Sequence, residues 1–153
     1  MAGVEPAAGA EGPAARPRLA YVIGRLDRAL RQRIGEAVRP HGLTTPQYTT
    51  LSVLRVRGGL SNAQLARRAF MTPQSMSELI VALERGGLIE RESDPAHGRI
   101  LRAELTRKGK EVLARCDRAV DAIEAEMLRE LAAVERRALV DELEACLRGL
   151  AGS

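Results

Sequence analysis

Gln74, Ser75, Ser77 and Glu78 follow directly on Thr72-Pro73 at the start of an amphipathic stretch. Short amide and hydroxyl side chains donate to and accept from base edges and phosphate oxygens, and Gln74 is able to pair bidentately with adenine. Further on, SDPAHGRILRAELT reads as two extended runs joined by a turn, with Arg99 at the tip. An arginine on a narrow turn suits the negative potential of a narrowed minor groove. The two groups together imply nucleic-acid recognition. Cys116 and Cys146 lie far apart with no CxxC spacing, the only histidines are His41 and His97, and no HExxH, GxGxxG or GxxxxGK[ST] string occurs. No catalytic constellation, metal site or cofactor is expected.

The elements that hold these residues are legible from caps and periodicity. Residues 1–17 are Ala, Gly, Pro and Glu with almost no large apolar side chain, which predicts a disordered arm. Leu19, Val22, Ile23, Leu26, Leu30, Ile34 and Val38 recur at threes and fours and predict a first helix over 18–39, closed by Pro40-His41-Gly42. Thr45-Pro46 reads as an N-cap and first helical position, so a second helix runs to about Arg57 before Gly58-Gly59. A short third helix follows from Ser61, with Leu65 and Ala69 facing inward.

Thr72-Pro73 repeats the capping pattern, and Met76, Leu79, Ile80 and Leu83 give the fourth helix a buried stripe that Gly86-Gly87 ends. The period then changes to two. Leu101, Ala103 and Leu105 predict a half-buried strand paired with Leu88–Arg91, with Asp94-Pro95 and Gly98 in the connecting turn. Thr106 caps a fifth helix carrying Leu113, Cys116, Val120, Ile123 and Met127; a sixth spans about 134–150 with Leu139, Leu143, Leu147 and Leu150. Helices one, five and six have more apolar surface than the middle lobe can cover, which predicts a symmetric homodimer.

The net charge of +4 is unevenly spread. Residues 1–39 carry a net +3 and 55–110 a net +5, whereas 111–153 carry a net −4. Basic surface is thus concentrated where a polyanion is expected. No apolar run approaches the roughly 18 residues of a membrane span and the N-terminus lacks a secretory pattern, so a cytoplasmic protein with no membrane partner is expected.

From residue 18 onward the chain resembles the MarR family of winged helix-turn-helix transcription regulators. HGLTTPQYTTLSVL is similar to the family's entry to helix two, LSNAQLARRAFMTPQSMSELIVALERGGLIER to its helix-turn-helix, and SDPAHGRILRAELTRKGK to its wing and exit. The resemblance implies a mainly α fold with a small β-hairpin wing, organised as one domain over 18–153. A DNA-binding lobe would occupy 45–109, with dimerisation helices over 18–40 and 110–150. It implies double-stranded DNA with a pseudo-palindromic operator as partner, the fourth helix in a major groove and Arg99 in the adjacent minor groove.

By the same resemblance Thr72, Gln74, Ser75, Ser77 and Glu78 occupy the DNA-facing positions, and Asp94 braces Arg99 across the turn. Glu78 stands where arginine is common and Val81-Ala82 where an Asp-Arg pair is common, which implies an operator unlike that of other members. Phe70 replaces a common turn glycine and is expected to pack between the lobe and the dimer helices. A cysteine in the first helix marks the family's peroxide-sensing branch; Cys116 and Cys146 lie elsewhere, which speaks against that chemistry and leaves an interhelix disulfide open. A small phenolic or anionic effector is implied at the junction of lobe and dimer helices, near Tyr21, Arg25, His41 and Tyr48. The function implied is a repressor relieved by that effector. The alternative is a protein-interaction module that keeps the winged fold without binding an operator.

Overall fold

The helices begin where the sequence supplies a side-chain oxygen for the free amides of a first turn. The Thr44 hydroxyl accepts from the Gln47 amide, and the Gln47 side chain accepts from the Thr44 amide at 2.9 Å, opening α2 (Thr45–Val56). The sequence reading puts this cap at Thr45. Only Thr44 has a glutamine three residues on to return the bond, so the cap sits one residue earlier. Ser61 and Gln64 make the same reciprocal pair at α3 (Asn62–Arg68). Single hydroxyl caps from Thr72 and Thr106 open α4 (Pro73–Arg85) and α5 (Arg107–Met127). Each such cap stabilises its helix by about 1 kcal/mol.

The computed structural model describes residues 16–151. The disordered arm expected over 1–17 lies outside the described residues up to residue 15. Helix α1 (Leu19–Val38) runs into a 3₁₀ turn at Arg39–His41, closed by Gly42 at φ 79°. Helix α6 (Ala133–Ala151) ends the described chain.

One core joins α2, α3, α4, the sheet and the first half of α5. Leu51, Leu65, Met76, Leu83, Ile89 and Leu113 are buried in it together with Cys116. Burial of each large side chain stabilises the lobe by roughly 1.5–3 kcal/mol. The predicted stripe of α4 holds, with Met76, Ile80 and Leu83 buried and Leu79 packed against them.

The sheet has three strands, one more than the alternation predicts. β1 (Leu60–Ser61) pairs antiparallel with β3 (Leu101–Leu105), which pairs antiparallel with β2 (Ile89–Ser93), in the order β1-β3-β2. The register sets Leu60 and Arg91 beside Ala103, and Ser61 and Glu92 beside Arg102. Inward alternation on β3 holds for Ala103 and Leu105 but not for Leu101, which is 43 % exposed. Leu101 pairs with Ser93 at the outer end of the hairpin, where it lines an open groove with Ile80 and Val81.

Phe70 lies where expected, lining a groove with Leu30 and Ile34 of α1 and Pro46 of α2, but it is not packed there within one chain. It is 83 % exposed and sits at φ 54° in the turn between α3 and α4. The Phe70 amide bonds back to Arg67 O and the Met71 amide to Ala66 O, so the turn needs a left-handed residue there. That backbone aims the ring outward, and holding a side chain of this size in that conformation costs about 1–2 kcal/mol.

Burial fades along α5. Val112, Leu113, Cys116 and Val120 are buried, Ile123 half-buried and Met127 exposed. Leu19, Val22, Ile23 and Leu26 on α1 and Val134, Val140, Leu143, Leu147 and Leu150 on α6 lie in water in the single chain. Apolar stripes of this extent on α1 and α6, with Met127 at the end of α5, mark an association surface. Sedimentation at micromolar concentration is expected to give a dimer, and a folded monomer would contradict this reading of the three helices.

Candidate nucleic-acid interface

Two elements carry the exposed polar side chains, and each is braced from behind. The Thr72 hydroxyl accepts from the Ser75 amide at 3.1 Å and donates to Ser75 Oγ at 2.9 Å, so both residues serve the start of α4. Ser77 is engaged too. Its hydroxyl donates to Pro73 O at 2.9 Å and accepts from Asn62 Nδ2 at 3.0 Å, while the same amide donates to Pro73 O at 3.1 Å. Asn62 thus clamps the first turn of α3 to the first turn of α4.

Gln74 and Glu78 are left with exposed side chains and no hydrogen-bond partner among the described residues. They stand one turn apart on the same face, which continues into Val81, 37 % exposed, and Arg85. All five residues expected at the start of α4 are exposed; Gln74 and Glu78 are unengaged among the described residues, whereas Thr72, Ser75 and Ser77 also hold the first turn together. Glu78 has no arginine partner among the described residues, so its carboxylate remains available to accept, as from a cytosine amino group.

The wing is built around Asp94, and its partner is not the expected one. Asp94 Oδ1 accepts from the Ala96 amide at 2.8 Å, and Oδ2 accepts from Arg102 Nε at 2.7 Å. A second guanidinium nitrogen completes a forked ion pair, and Arg102 also donates to Gly59 O at 2.6 Å. Arg102 lies next to Asp94 because β3 pairs with both β1 and β2 at this position. Asp94 therefore braces Arg102, tying the wing to the β1 loop, and not Arg99.

Arg99 is placed by backbone bonds alone. The Asp94 amide donates to Ile100 O at 2.7 Å, the His97 amide to Asp94 O, and the Ile100 amide to His97 O at 2.7 Å. Two consecutive turns result, with Gly98 and Arg99 at the outermost corner. The side chain is exposed and without an ion-pair or hydrogen-bond partner among the described residues. His97 is exposed in the same turn.

Asp94 is only 3 % exposed. The Ala96 amide holds its carboxyl below the ordinary 3.8; burial opposes this, and Arg102 reinforces it. Because the folded value lies below the unfolded one, this support is complete above 3.8 and is lost as pH falls through the folded value. Hydrogen-exchange protection of the Ala96 amide is expected to collapse in that acid window before that of the core amides. Simultaneous loss would contradict the bracing role.

The end of α4 and the start of β2 meet α5 at a crowded junction. The Thr106 hydroxyl donates to Gly87 O at 2.7 Å, the Thr106 amide to Leu88 O at 3.1 Å, and Lys108 to Gly86 O at 2.8 Å. Arg91 on β2 pairs with Glu84 on α4. Asn62, Arg91, Arg102 and Lys108 were not singled out by sequence, since each looks like an ordinary surface residue until its partner is placed.

The residues expected at an effector site do not converge within one chain. Tyr21 and Arg25 stack on each other on α1, with the guanidinium 5.8 Å from the ring centre. His41 lies in the turn at the far end of that helix, roughly 30 Å away at 1.5 Å per residue. Tyr48 faces α5 instead, donating to Asp117 Oδ1 at 3.0 Å beside the Arg55–Asp117 ion pair. Burial pushes its phenol up to about 12, and the bond to Asp117 acts in the same direction. Cys116 is buried, which raises its thiol, and Cys146 is exposed on α6; both are free. No group of three or more potential metal ligands occurs among the described residues, and no described helix is long and apolar enough to cross a membrane.

Comparison with known proteins agrees with this geometry. Residues 41–100, from the turn before α2 to the wing tip, match the model of the MarR family. The HTH-type transcriptional repressor Rv2887 of Mycobacterium tuberculosis is 36% identical over 126 residues, covering 82% of this chain and 91% of that one. Its structure in complex with DNA superposes with a TM-score of 0.69 at 33% identity, covering 86% of this chain and 98% of that one. Its complex with salicylic acid gives a TM-score of 0.70 at 35% identity, covering 88% and 99%. By its sequence, its fold and its capped helix beside a wing, this chain belongs to the MarR family of winged helix-turn-helix transcription regulators.

Proposed function

We propose that this protein is a homodimeric, cytoplasmic repressor that binds a pseudo-palindromic operator and is released by a small aromatic acid. The observation that carries the reading is the pairing of two unengaged surfaces: Gln74 and Glu78 on a capped helix, and Arg99 at the tip of a braced wing. A major groove admits α4 with its polar first turns leading, and the free amides of that turn favour a nearby phosphate. Two lobes related by a dimer axis would address half-sites about 34 Å apart, one helical turn.

Thr72, Ser75 and Ser77 hold α4 in register in this account; Gln74 and Glu78 read bases, and Arg99 enters the minor groove. The relative that forms complexes with DNA and with salicylic acid supports both the operator and the effector class. The reading is tested by fluorescence anisotropy of a labelled fragment from upstream of the protein's own gene, titrated with protein and then with salicylate. Saturable binding reversed by salicylate is expected. Binding that salicylate leaves unchanged would remove the effector half, and no binding would favour a protein-interaction module.

A further inference from the structure

Between the second half of α2 and the end of α3 lies an open groove of about 560 Å³, lined by Thr49, Ser52, Val53, Val56, Arg57 and Arg68. Its composition is that of an anion site with an apolar wall. No acid lines it, and neither arginine has a carboxylate partner among the described residues. Val56 is 83 % exposed beside them, and Ser52 Oγ is buried with no hydrogen-bond partner. Two like charges facing one low-polarity wall raise the local potential, and a single carboxylate between them would relieve it. An aromatic ring would cover Val53 and Val56, and Thr49 lines the same groove with a hydroxyl that a ring substituent could meet.

We infer that this groove is a binding site for a small aromatic carboxylate, held by Arg57 and Arg68 within one lobe. The inference deepens the effector reading above and rests on it for its regulatory meaning. Helix α2 is anchored to α5 through Tyr48, Arg55 and Asp117, whereas α3 carries α4 through the turn at Phe70. A carboxylate tying Arg68 to Arg57 shifts the end of α3 relative to α2, and with it the first turn of α4. It releases the operator to the extent that it prefers the shifted arrangement.

The probe is salicylate, whose own emission is readable because the chain has no tryptophan. It is titrated into the full-length dimer, into R57Q/R68Q, into V56D, and into R25Q as a variant at the other candidate location. Saturable binding is expected in the parent and in R25Q, weakened about tenfold or more in R57Q/R68Q and in V56D. DNA affinity of R57Q/R68Q without ligand should stay within about twofold of the parent, with the same salt dependence. Absence of saturable binding in the parent, or binding by R57Q/R68Q equal to the parent's, overturns the site. A shallower salt slope with lost DNA affinity in R57Q/R68Q does so too, by making these arginines phosphate contacts. Failure of the parent to bind DNA overturns the operator reading instead and leaves the groove's occupancy measurable on its own.

Discussion

Replacing Arg99 with alanine is expected to weaken operator binding by about 1–3 kcal/mol, some five- to 150-fold, while dimer and melting temperature stay unchanged. Arg99 has no ion pair or hydrogen bond among the described residues, and its turn is closed by backbone bonds that alanine keeps. Truncation therefore removes a charge from the wing tip and little else. Arg102 gives the contrasting case. It bonds Asp94 and Gly59 O, so R102A should lower wing stability as well as DNA affinity. Equal losses of stability in both variants would mean that Arg99 also braces the wing.

Gly109→Ala is expected to produce the largest loss of stability of any single methyl addition in the head. A Cβ at this position would lie 2.0 Å from Leu88 O and 2.9 Å from Leu88 C, both backbone atoms. No rotamer change relieves such a contact. Either the first turn of α5 moves off the β2 strand or the Thr106 bonds to Gly87 and Leu88 break. Overpacking of this kind costs on the order of 3 kcal/mol. Because this junction couples the reading head to α5, the surviving folded protein should also bind operator more weakly. Chemical denaturation checks the first part, and a midpoint equal to the parent's would show that the junction gives way without cost.

What was legible in the sequence was local. Thr72-Pro73 and Thr106 cap their helices as read, because a hydroxyl three residues from an amide needs no distant partner. Met76, Ile80 and Leu83 are buried because their spacing allows one face only. Asp94's partner was not legible. Arg99 and Arg102 lie three residues apart, and the choice between them is set by β1, a strand of two residues that shows no alternation. Phe70 misled because its side chain suggests burial while its backbone must be left-handed, a demand imposed by the α3–α4 turn. Tyr21, Arg25, His41 and Tyr48 suit an effector by chemical type, but within one chain they stand at opposite ends of α1 and on α2. Ser77 is exposed as its type suggests, but its bonds to Asn62 and Pro73 O, which hold α4 to α3, needed the fold to be seen.

The central claim is that α4 and the wing face a polyanion. Its most direct test is the salt dependence of binding to the upstream DNA, measured by anisotropy between about 50 and 200 mM salt. Each neutralised phosphate contributes a slope near −0.9 on a double-logarithmic plot, so several contacts per dimer predict a fall of about a thousandfold or more across that range. A binding constant that does not change with salt, or no binding at the lowest salt, would contradict the claim.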